Sequence, residues 1–344
     1  MLAAMNAADW VRRFPDAKVV VLGDLVADEY VYGETERVSR EAPVLIVRHE
    51  YSETKPGGAA NAAANVASMR GQARTVGIVG RDAAGRALAT QLARVGADTK
   101  GLVAFRDRCT ETKTRILAGG RSTTRQQMLR VDRAEERPLR ASQRARLREA
   151  LHAACEGADA VMVSDYGSGL FDDPLIGDLQ ELAKRLPVCV DSRYRIAAFR
   201  GMTVSKPNEP ELQAAIGGRL RTPDDVERAG RALLDKLDSK ALVVTRGRLG
   251  MSLFERKRPT LHIPVWGPDE AVDVTGAGDT VLAALSLALG VGAPFADAAR
   301  LANIAGGIVV QKPGTATCSS TELLTAIELE PPPVRVAAPR RRKT

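Results

Sequence analysis

The chain has 344 residues, of which 44% are hydrophobic and 27% charged, values typical of a globular protein with one large α/β domain or two medium ones. Aromatic residues make up only 4%, which argues against a surface that binds single-stranded nucleic acid by stacking. The formal net charge is +8, but Arg335, Arg340, Arg341, Arg342 and Lys343 supply five of these charges, so we expect no nucleic-acid partner.

The two ends and the cysteines restrict the class further. Residues 1–17 are predicted as an N-terminal helical extension and residues 331–344 as a disordered basic tail rich in Pro and Arg. The four cysteines have no CxxC spacing, which argues against a zinc site and fits a reducing compartment. We find no signal-peptide pattern and no long apolar run, so we expect a cytoplasmic protein with no membrane partner.

Short apolar runs alternate with helical patterns from residue 18 onward. Strands are predicted at 18–24, 74–80, 160–164, 188–191, 202–205 and 241–245. Helices are predicted at 59–69, 82–95, 175–186, 224–237, 280–290 and 295–311. This alternation indicates an α/β fold with a mostly parallel sheet covered by helices on both faces.

Two segments do not follow the alternation. Residues 33–50 and 108–131 have β-like patterns without a long helix between the apolar runs. We predict that they form extra strands outside the main sheet, as a lid over a cleft. Lids that exclude water are common where a reactive phosphoryl group must be kept from hydrolysis.

The stretch Asp273-Val-Thr-Gly-Ala-Gly-Asp-Thr280 precedes an apolar helical run. The backbone N–H groups of Gly276, Ala277 and Gly278 would open a helix N-terminus, which attracts anions. A carboxylate beside such a site makes sense if Asp279 accepts a proton from a hydroxyl while the N–H groups hold a phosphoryl group. The pattern therefore predicts phosphoryl transfer, with Asp279 as a general base of ordinary pKa, about 4. The alternative is a purely structural helix start.

The Asp273–Thr280 stretch resembles the C-terminal signature of the ribokinase-like, or phosphofructokinase-B type, carbohydrate kinases. Three further motifs of that family follow its order along the chain: Gly57-Gly-Ala-Ala-Asn61, Lys206-Pro-Asn-Glu-Pro-Glu211 and Thr245-Arg-Gly-Arg-Leu-Gly250. The resemblance implies a ribokinase-like three-layer α/β/α sandwich with a small β-strand lid, covering residues 18–330. It also implies transfer of the γ-phosphate of ATP to a sugar hydroxyl, with Mg²⁺. The chain has neither a G-x-G-x-x-G after its first strand nor a P-loop motif.

Within this family the chain is most similar to the heptose 7-phosphate kinases of lipopolysaccharide precursor synthesis. The segments that carry this similarity include 23–30, 37–44 and 126–132. The implied reaction converts D-glycero-D-manno-heptose 7-phosphate to the 1,7-bisphosphate. Two lysines of that group are replaced here, by Gly167-Ser-Gly169 and by Ser192-Arg-Tyr194. Arg106, Arg193 and Arg195 are candidates to bind phosphate instead, although Arg and Lys are not equivalent.

The resemblance also implies roles for individual residues. Substrate binding is expected of Asp24, Asp28, Arg37, Gly57, Gly58, Asn61, Lys113 and Asp165. Nucleotide binding is expected of Asn208, Glu211, Thr245, Gly247, Gly250 and Asn303. Glu211 is expected to hold Mg²⁺ through water, and the region of Asp273 and Thr275 a monovalent cation such as K⁺. A homodimer through the lid is a further expectation.

Three alternatives remain open from the sequence. Asp24 is also a plausible turn or capping acid, and Pro207-Asn208 is a common helix-start signal. The lost lysines leave room for a kinase of the same fold that acts on another sugar or sugar phosphate. The alternative of a different class is a non-catalytic protein that binds sugar or nucleotide as a regulator.

Overall fold

The structure is a computed structural model that describes residues 5–120, 124–135, 137–268 and 270–329. The predicted basic tail, residues 331–344, lies outside the described residues. Among the described residues, no helix combines the length and apolar character that crossing a membrane requires.

The strands in chain order are β1 (Lys18–Gly23), β2 (Leu25–Val38), β3 (Leu45–Gly58), β4 (Gln72–Gly80), β5 (Asp98–Phe105), β6 (Glu111–Gly119), β7 (Gln126–Arg133), β8 (Ala160–Asp165), β9 (Val188–Ser192), β10 (Val204–Ser205), β11 (Ala241–Thr245), β12 (Met251–Glu255) and β13 (Leu261–Ile263). The helices are α1 (Ala7–Arg12), α2 (Ala59–Ser68), α3 (Ala83–Arg94), α4 (Ala141–Cys155), α5 (Asp173–Ala183), α6 (Glu209–Ile216), α7 (Pro223–Leu237), α8 (Ala277–Gly290), α9 (Phe295–Val309) and α10 (Ser320–Leu329).

The main sheet has nine strands in the order β13-β12-β11-β10-β9-β8-β1-β4-β5. All neighbours pair in parallel except β11 with β12 and β12 with β13. The prediction of a mostly parallel sheet is therefore confirmed. Because the strands are parallel, their carboxyl ends share one edge, where ligands of such folds bind.

Alternate residues of the central strands pack on opposite faces of this sheet. Val19 and Val21 of β1 belong to a core with α2, α8 and α9, whereas Val20 and Leu22 belong to a core with α4, α5 and α7. Strands buried on both faces have nearly continuous apolar sequences. The two cores confirm the predicted three-layer α/β/α sandwich.

A second sheet, the lid, has four strands in the order β3-β2-β6-β7. Its strands differ from the predicted segments, because β2 begins already at Leu25 and β3 continues to Gly58. Asp24 alone separates β1 from β2, so the chain passes directly from the main sheet into the lid. The sequence does not predict this change of sheet, because apolar residues continue from β1 into β2.

Several other elements differ from the predictions. Helix α8 begins at Ala277, three residues before the predicted start, because Gly276 in the left-handed region (φ 79°) already forms its N-cap. Helix α4 was not predicted, since only Gln143, Leu147 and Leu151 of it are buried. The predicted N-terminal extension contains α1, and its residues Val11 and Phe14 belong to the core of the domain.

Candidate active site

A cavity of about 1030 Å³ lies between the lid and the carboxyl ends of the central strands. Fifteen of the predicted site residues line this cleft: Asp28, Gly58, Lys113, Asp165, Asn208, Glu211, Thr245, Gly247, Gly250, Thr275, Gly276, Ala277, Gly278, Asp279 and Asn303. Five others do not line it: Asp24, Arg37, Gly57, Asn61 and Asp273. The cleft is large enough for two small ligands, since pockets for one drug-sized ligand span about 300–1,000 Å³.

Asp279 is buried in the first turn of α8, with 4% of its surface exposed. The side-chain amide of Asn61 donates to its Oδ2 at 2.8 Å. The hydroxyl of Tyr166 lies 3.1 Å from Oδ1 and 3.2 Å from Oδ2. Asn61 was predicted to contact sugar hydroxyls, but its amide group faces the predicted base.

The expected ordinary pKa of Asp279 is wrong. Burial, followed by the negative charge of Asp191, raises the pKa of Asp279 to about 7. The hydrogen bonds from Asn61 and Tyr166 and the charge of Lys206 act in the opposite direction. A base whose pKa is close to neutral pH suits proton transfer better than one near 4.

The N-terminus of α8 provides a site that can receive a phosphoryl group. The N–H of Ala277 donates to the carbonyl of Val274 at 3.2 Å. The N–H groups of Gly276 and Gly278 therefore remain as the donors of the predicted anion hole. At Gly278, an added Cβ would lie 3.5 Å from both Asp191 Oδ2 and Lys206 Nζ. The helix start thus faces the Lys206–Asp191 ion pair at close range.

Buried Lys206 forms an ion pair with the partly exposed Asp191, with 2.8 Å between Nζ and Oδ2. Burial opposes the charged form of Lys206, but Asp191 outweighs burial and raises the pKa of the ammonium above its usual value. Lys206 therefore keeps its proton beside Gly278, as one half of an ion pair with Asp191. This arrangement can stabilise negative charge that develops on a transferring phosphoryl group.

Asp24 lies behind the cleft wall. Its Oδ2 accepts the backbone N–H groups of Tyr166, at 2.7 Å, and Ser168, at 3.2 Å. Burial, followed by the charge of Asp165, raises the pKa of Asp24 to about 7. This geometry corresponds to the alternative that the sequence left open, in which Asp24 holds a turn in place.

Positive side chains line the cleft on both the lid and the main sheet. Lys113 and Arg115 of β6, Arg130 of β7 and Arg193 after β9 all line it. Arg115 is paired with Asp28 at 2.7 Å. Of the three arginines proposed to replace the lost lysines, Arg193 alone lines the cleft; Arg195 donates to the carbonyl of Phe171. Arg37 is exposed near the end of β2.

Asn208 and Glu211 form a capping box at the start of α6. The N–H of Glu211 donates to Asn208 Oδ1 at 2.8 Å, and the N–H of Asn208 donates to Glu211 Oε2 at 2.9 Å. The structure therefore shows Asn208 in the role of a helix cap, which was the alternative to ligand binding. Both residues nevertheless line the cleft beside Thr245, Gly247 and Gly250.

Glu211 fits a site for hydrated Mg²⁺. Burial, followed by the charge of Asp191, raises the pKa of Glu211, so a bound cation would relieve an existing electrostatic cost. Within the described ranges, no group of three or more His, Cys, Asp or Glu side chains is arranged to hold a metal. Mg²⁺ usually keeps several waters and takes few direct protein ligands. A single carboxylate, such as that of Glu211, is therefore enough to hold a hydrated Mg²⁺.

The remaining predicted ligands have internal partners. Asn303 donates its amide to the carbonyl of Pro264 at 2.8 Å, which fixes its side chain at the cleft wall. Asp273 accepts the N–H groups of Thr275 and Gly314, both at 2.9 Å. Burial opposes ionisation of Asp273, but these hydrogen bonds hold its pKa below the usual value.

The sequence analysis missed three residues of the site: Tyr166, Asp191 and Lys206. Each stands at or directly after the carboxyl end of a strand, at β8, β9 and β10 respectively. This position was a usable signal, because strand ends in a parallel sheet converge on the ligand site. The Lys206–Asp191 pair also supplies a lysine in the cleft, although two family lysines are absent.

Comparisons with known proteins identify the family of the chain. The model of the pfkB family carbohydrate kinases matches residues 16–322. The Bifunctional protein HldE of Geobacter sulfurreducens is 39% identical over 311 residues, which cover 90% of this chain and 62% of the relative. The protein of the same name from Halorhodospira halophila is 41% identical, covering 93% of this chain and 65% of the relative. The chain thus spans just under two thirds of the length of these relatives.

Solved structures show the same fold at lower identity. Arabidopsis thaliana ribokinase complexed with ribose and ATP superposes with a TM-score of 0.69 at 21% identity, covering 91% of this chain and 99% of the ribokinase. Because the family model covers most of the chain, the chain belongs to the pfkB family of carbohydrate kinases. It is an enzyme with the ribokinase-like α/β fold.

Proposed function

We propose that this carbohydrate kinase phosphorylates D-glycero-D-manno-heptose 7-phosphate to the 1,7-bisphosphate, with ATP as donor. The observation that carries the proposal is the buried Asp279 at the glycine-rich start of α8, with Lys206 beside Gly278. The similarity to the HldE proteins and the heptose kinase pattern in the sequence support the choice of sugar.

In the proposed reaction, Asp279 accepts the proton of the sugar hydroxyl. The hydroxyl oxygen then forms a bond to the γ-phosphorus, the bond between that phosphorus and the β–γ bridging oxygen breaks, and ADP leaves. The N–H groups of Gly276 and Gly278 and the ammonium of Lys206 face the charge that develops. Mg²⁺ held at Glu211 would neutralise phosphate charge.

The phosphate already present on the sugar requires cations away from Asp279. Lys113 and Arg130 of the lid and Arg193 after β9 of the main sheet meet this need, since they line the same cleft. The guanidinium of Arg130 forms an ion pair with the carboxylate of Asp132 at 2.5 Å, so the positive charge of Arg130 is partly compensated. We assign Lys113 and Arg193 as the main contacts of the 7-phosphate.

A panel of acceptors tests the proposal through ADP release in a coupled assay. Heptose 7-phosphate, fructose phosphates, ribose and free hexoses are compared, with Asp279→Asn as the inactive control. We expect the heptose phosphate to give the highest kcat/KM and Arg193→Met to raise its KM selectively. A best substrate without a phosphate would contradict the heptose assignment and favour the second candidate, a kinase of another sugar. Arg193 in place of the family lysine is the observation that favours that candidate.

We further propose a homodimer through the lid. Strand β7 is exposed along its whole length, and Met128, Leu129 and Val131 are 41%, 55% and 51% exposed. Exposed apolar patches of this kind mark interaction surfaces.

A cytoplasmic location is part of the proposal, because the four cysteines are unpaired, as in a reducing compartment.

A further inference from the structure

Tyr166 joins three parts of the active site. Its hydroxyl is the same distance from both Asp279 oxygens within 0.1 Å, at 3.1 and 3.2 Å. Its backbone N–H donates to Asp24 at 2.7 Å, and Lys113 Nζ of the lid lies 5.5 Å from the centre of its ring. The position of its hydroxyl is therefore fixed from the main sheet and from the lid.

The hydroxyl of Tyr166 acts as a donor to Asp279. Burial, followed by the charge of Asp279, raises the pKa of Tyr166 well above its usual value, so the phenol keeps its proton. A protonated phenol beside a carboxylate donates one hydrogen bond, here shared between two oxygens. Together with the Asn61 amide on Oδ2, it holds the plane of the carboxylate.

We propose that Tyr166 is a positioning residue for the base of the reaction. Its O–H orients the Asp279 carboxylate toward the sugar hydroxyl and favours the ionised form that accepts the proton. This inference rests on the proposed function, in which Asp279 is the base. Asp279 is faced by Asn61 of α2, Tyr166 after β8, Asp191 of β9 and Lys206 after β10. Of these, Asp191 opposes ionisation and the other three support it.

The substitution Tyr166→Phe tests the role, because it removes the O–H and keeps the ring. We expect kcat to fall about 10- to 100-fold, since hydrogen bonds to charged groups are among the stronger ones. The KM for the sugar should change less than about twofold, as expected for a group that acts in the transition state. The acid limb of the pH profile of kcat/KM should move to higher pH by about one unit. Raising the pH should restore part of the lost rate.

Two further variants complete the experiment. Asn61→Ser removes the other hydrogen bond to Asp279 and should move the acid limb in the same direction. Tyr51→Phe, on the exposed surface of the lid, is the matched control and should keep the wild-type profile. Thermal unfolding and ATP binding verify that each variant is folded.

The outcomes separate this inference from the function on which it rests. If Asp279→Asn is inactive and the acid limb of Tyr166→Phe stays at the wild-type pH, the role of Tyr166 is overturned and the base assignment survives. If Asp279→Asn keeps its turnover, the base assignment itself fails. A shifted limb in Tyr166→Phe, with an inactive Asp279→Asn, supports both.

Discussion

Asp279 is a stronger base in this cleft than a carboxylate in water, because burial destabilises its charge more than its two hydrogen bonds stabilise it. Its pKa of about 7 places it where a general base is most effective near neutral pH. The sequence identified this residue from the glycines before it. It did not reveal the raised pKa, which depends on Asp191 and on burial produced by distant segments.

At the same scale, Lys206 is expected to contribute to turnover through its charge. Lys206→Met should lower kcat about 10²- to 10³-fold, because it removes a preorganised cation from the start of α8. It should also move the acid limb to higher pH, since the charge of Lys206 lowers the pKa of Asp279. Steady-state kinetics over pH measure both effects. Lys257→Met, an exposed loop residue, is the control, and an unchanged kcat in Lys206→Met would refute the role.

At the scale of elements, the start of α8 depends on the backbone of Gly276. This residue has φ 79°, and an added Cβ would lie 2.7 Å from Asn61 Nδ2. Gly276→Ala should therefore disturb the Asn61–Asp279 pair as well as strain the backbone, by about 1 kcal/mol. We expect a lower melting temperature and at least a tenfold lower kcat.

Gly292, just after the end of α8, offers a matched control for that substitution. It has φ 88°, and nothing lies within 4 Å of an added Cβ. Gly292→Ala should thus lose similar stability and keep its kcat. Equal kcat values for the two variants would show that the conformation of Gly276 does not matter for catalysis.

The lid is the element that we expect to join two copies of the chain. Leu129→Asp places a charge on the exposed face of β7 and should convert a dimer to a monomer in mass measurements in solution. Val95→Asp, also at an exposed apolar position but at the end of α3, should leave the mass unchanged. A wild-type protein that is already monomeric would contradict the proposed interface.

At the scale of the whole molecule, the buried carboxylates cost stability at neutral pH. The folded-state pKa values of Asp24 and Asp279 are about 7, against 3.8 for the free groups. Between these values the folded state binds more protons than the unfolded state, so their contribution to stability falls as the pH rises from about 4 to about 7. Above about pH 7 both carboxylates are ionised in the folded state, and their full destabilisation of the fold is present.

Asp279→Asn should consequently be more stable than the wild type at pH 8, by roughly 1–4 kcal/mol in the free energy of unfolding. The difference should shrink toward zero below about pH 3, where Asp279 is mostly protonated in both states. Urea unfolding at several pH values measures it. A variant that is less stable than the wild type at pH 8 would mean that the ionised Asp279 is not a cost to the fold.

The sequence predicted the global architecture better than the contacts of the site. The parallel sheet followed from the alternation of apolar runs and helices, which is a local pattern. The hydrogen bond of Asn61 to Asp279 could not be predicted in this way, because the two residues are 218 positions apart in the chain. The role of Asn208 could not be predicted either, because its sequence signal is the same whether it caps a helix or binds a ligand. The lid strands were mislocated for a similar reason, since Leu25–Tyr30 continues the apolar pattern of β1 into another sheet.

The turnover of Asp279→Asn at saturating ATP and heptose 7-phosphate tests the central claim most directly. The substitution keeps the shape of the side chain beside Asn61 and Tyr166, but it removes the ability to accept a proton. We predict a kcat lower by about 10²- to 10⁴-fold, with the affinity for ATP retained. A kcat within about threefold of the wild type, in a folded variant, would contradict the assignment of Asp279 as the base.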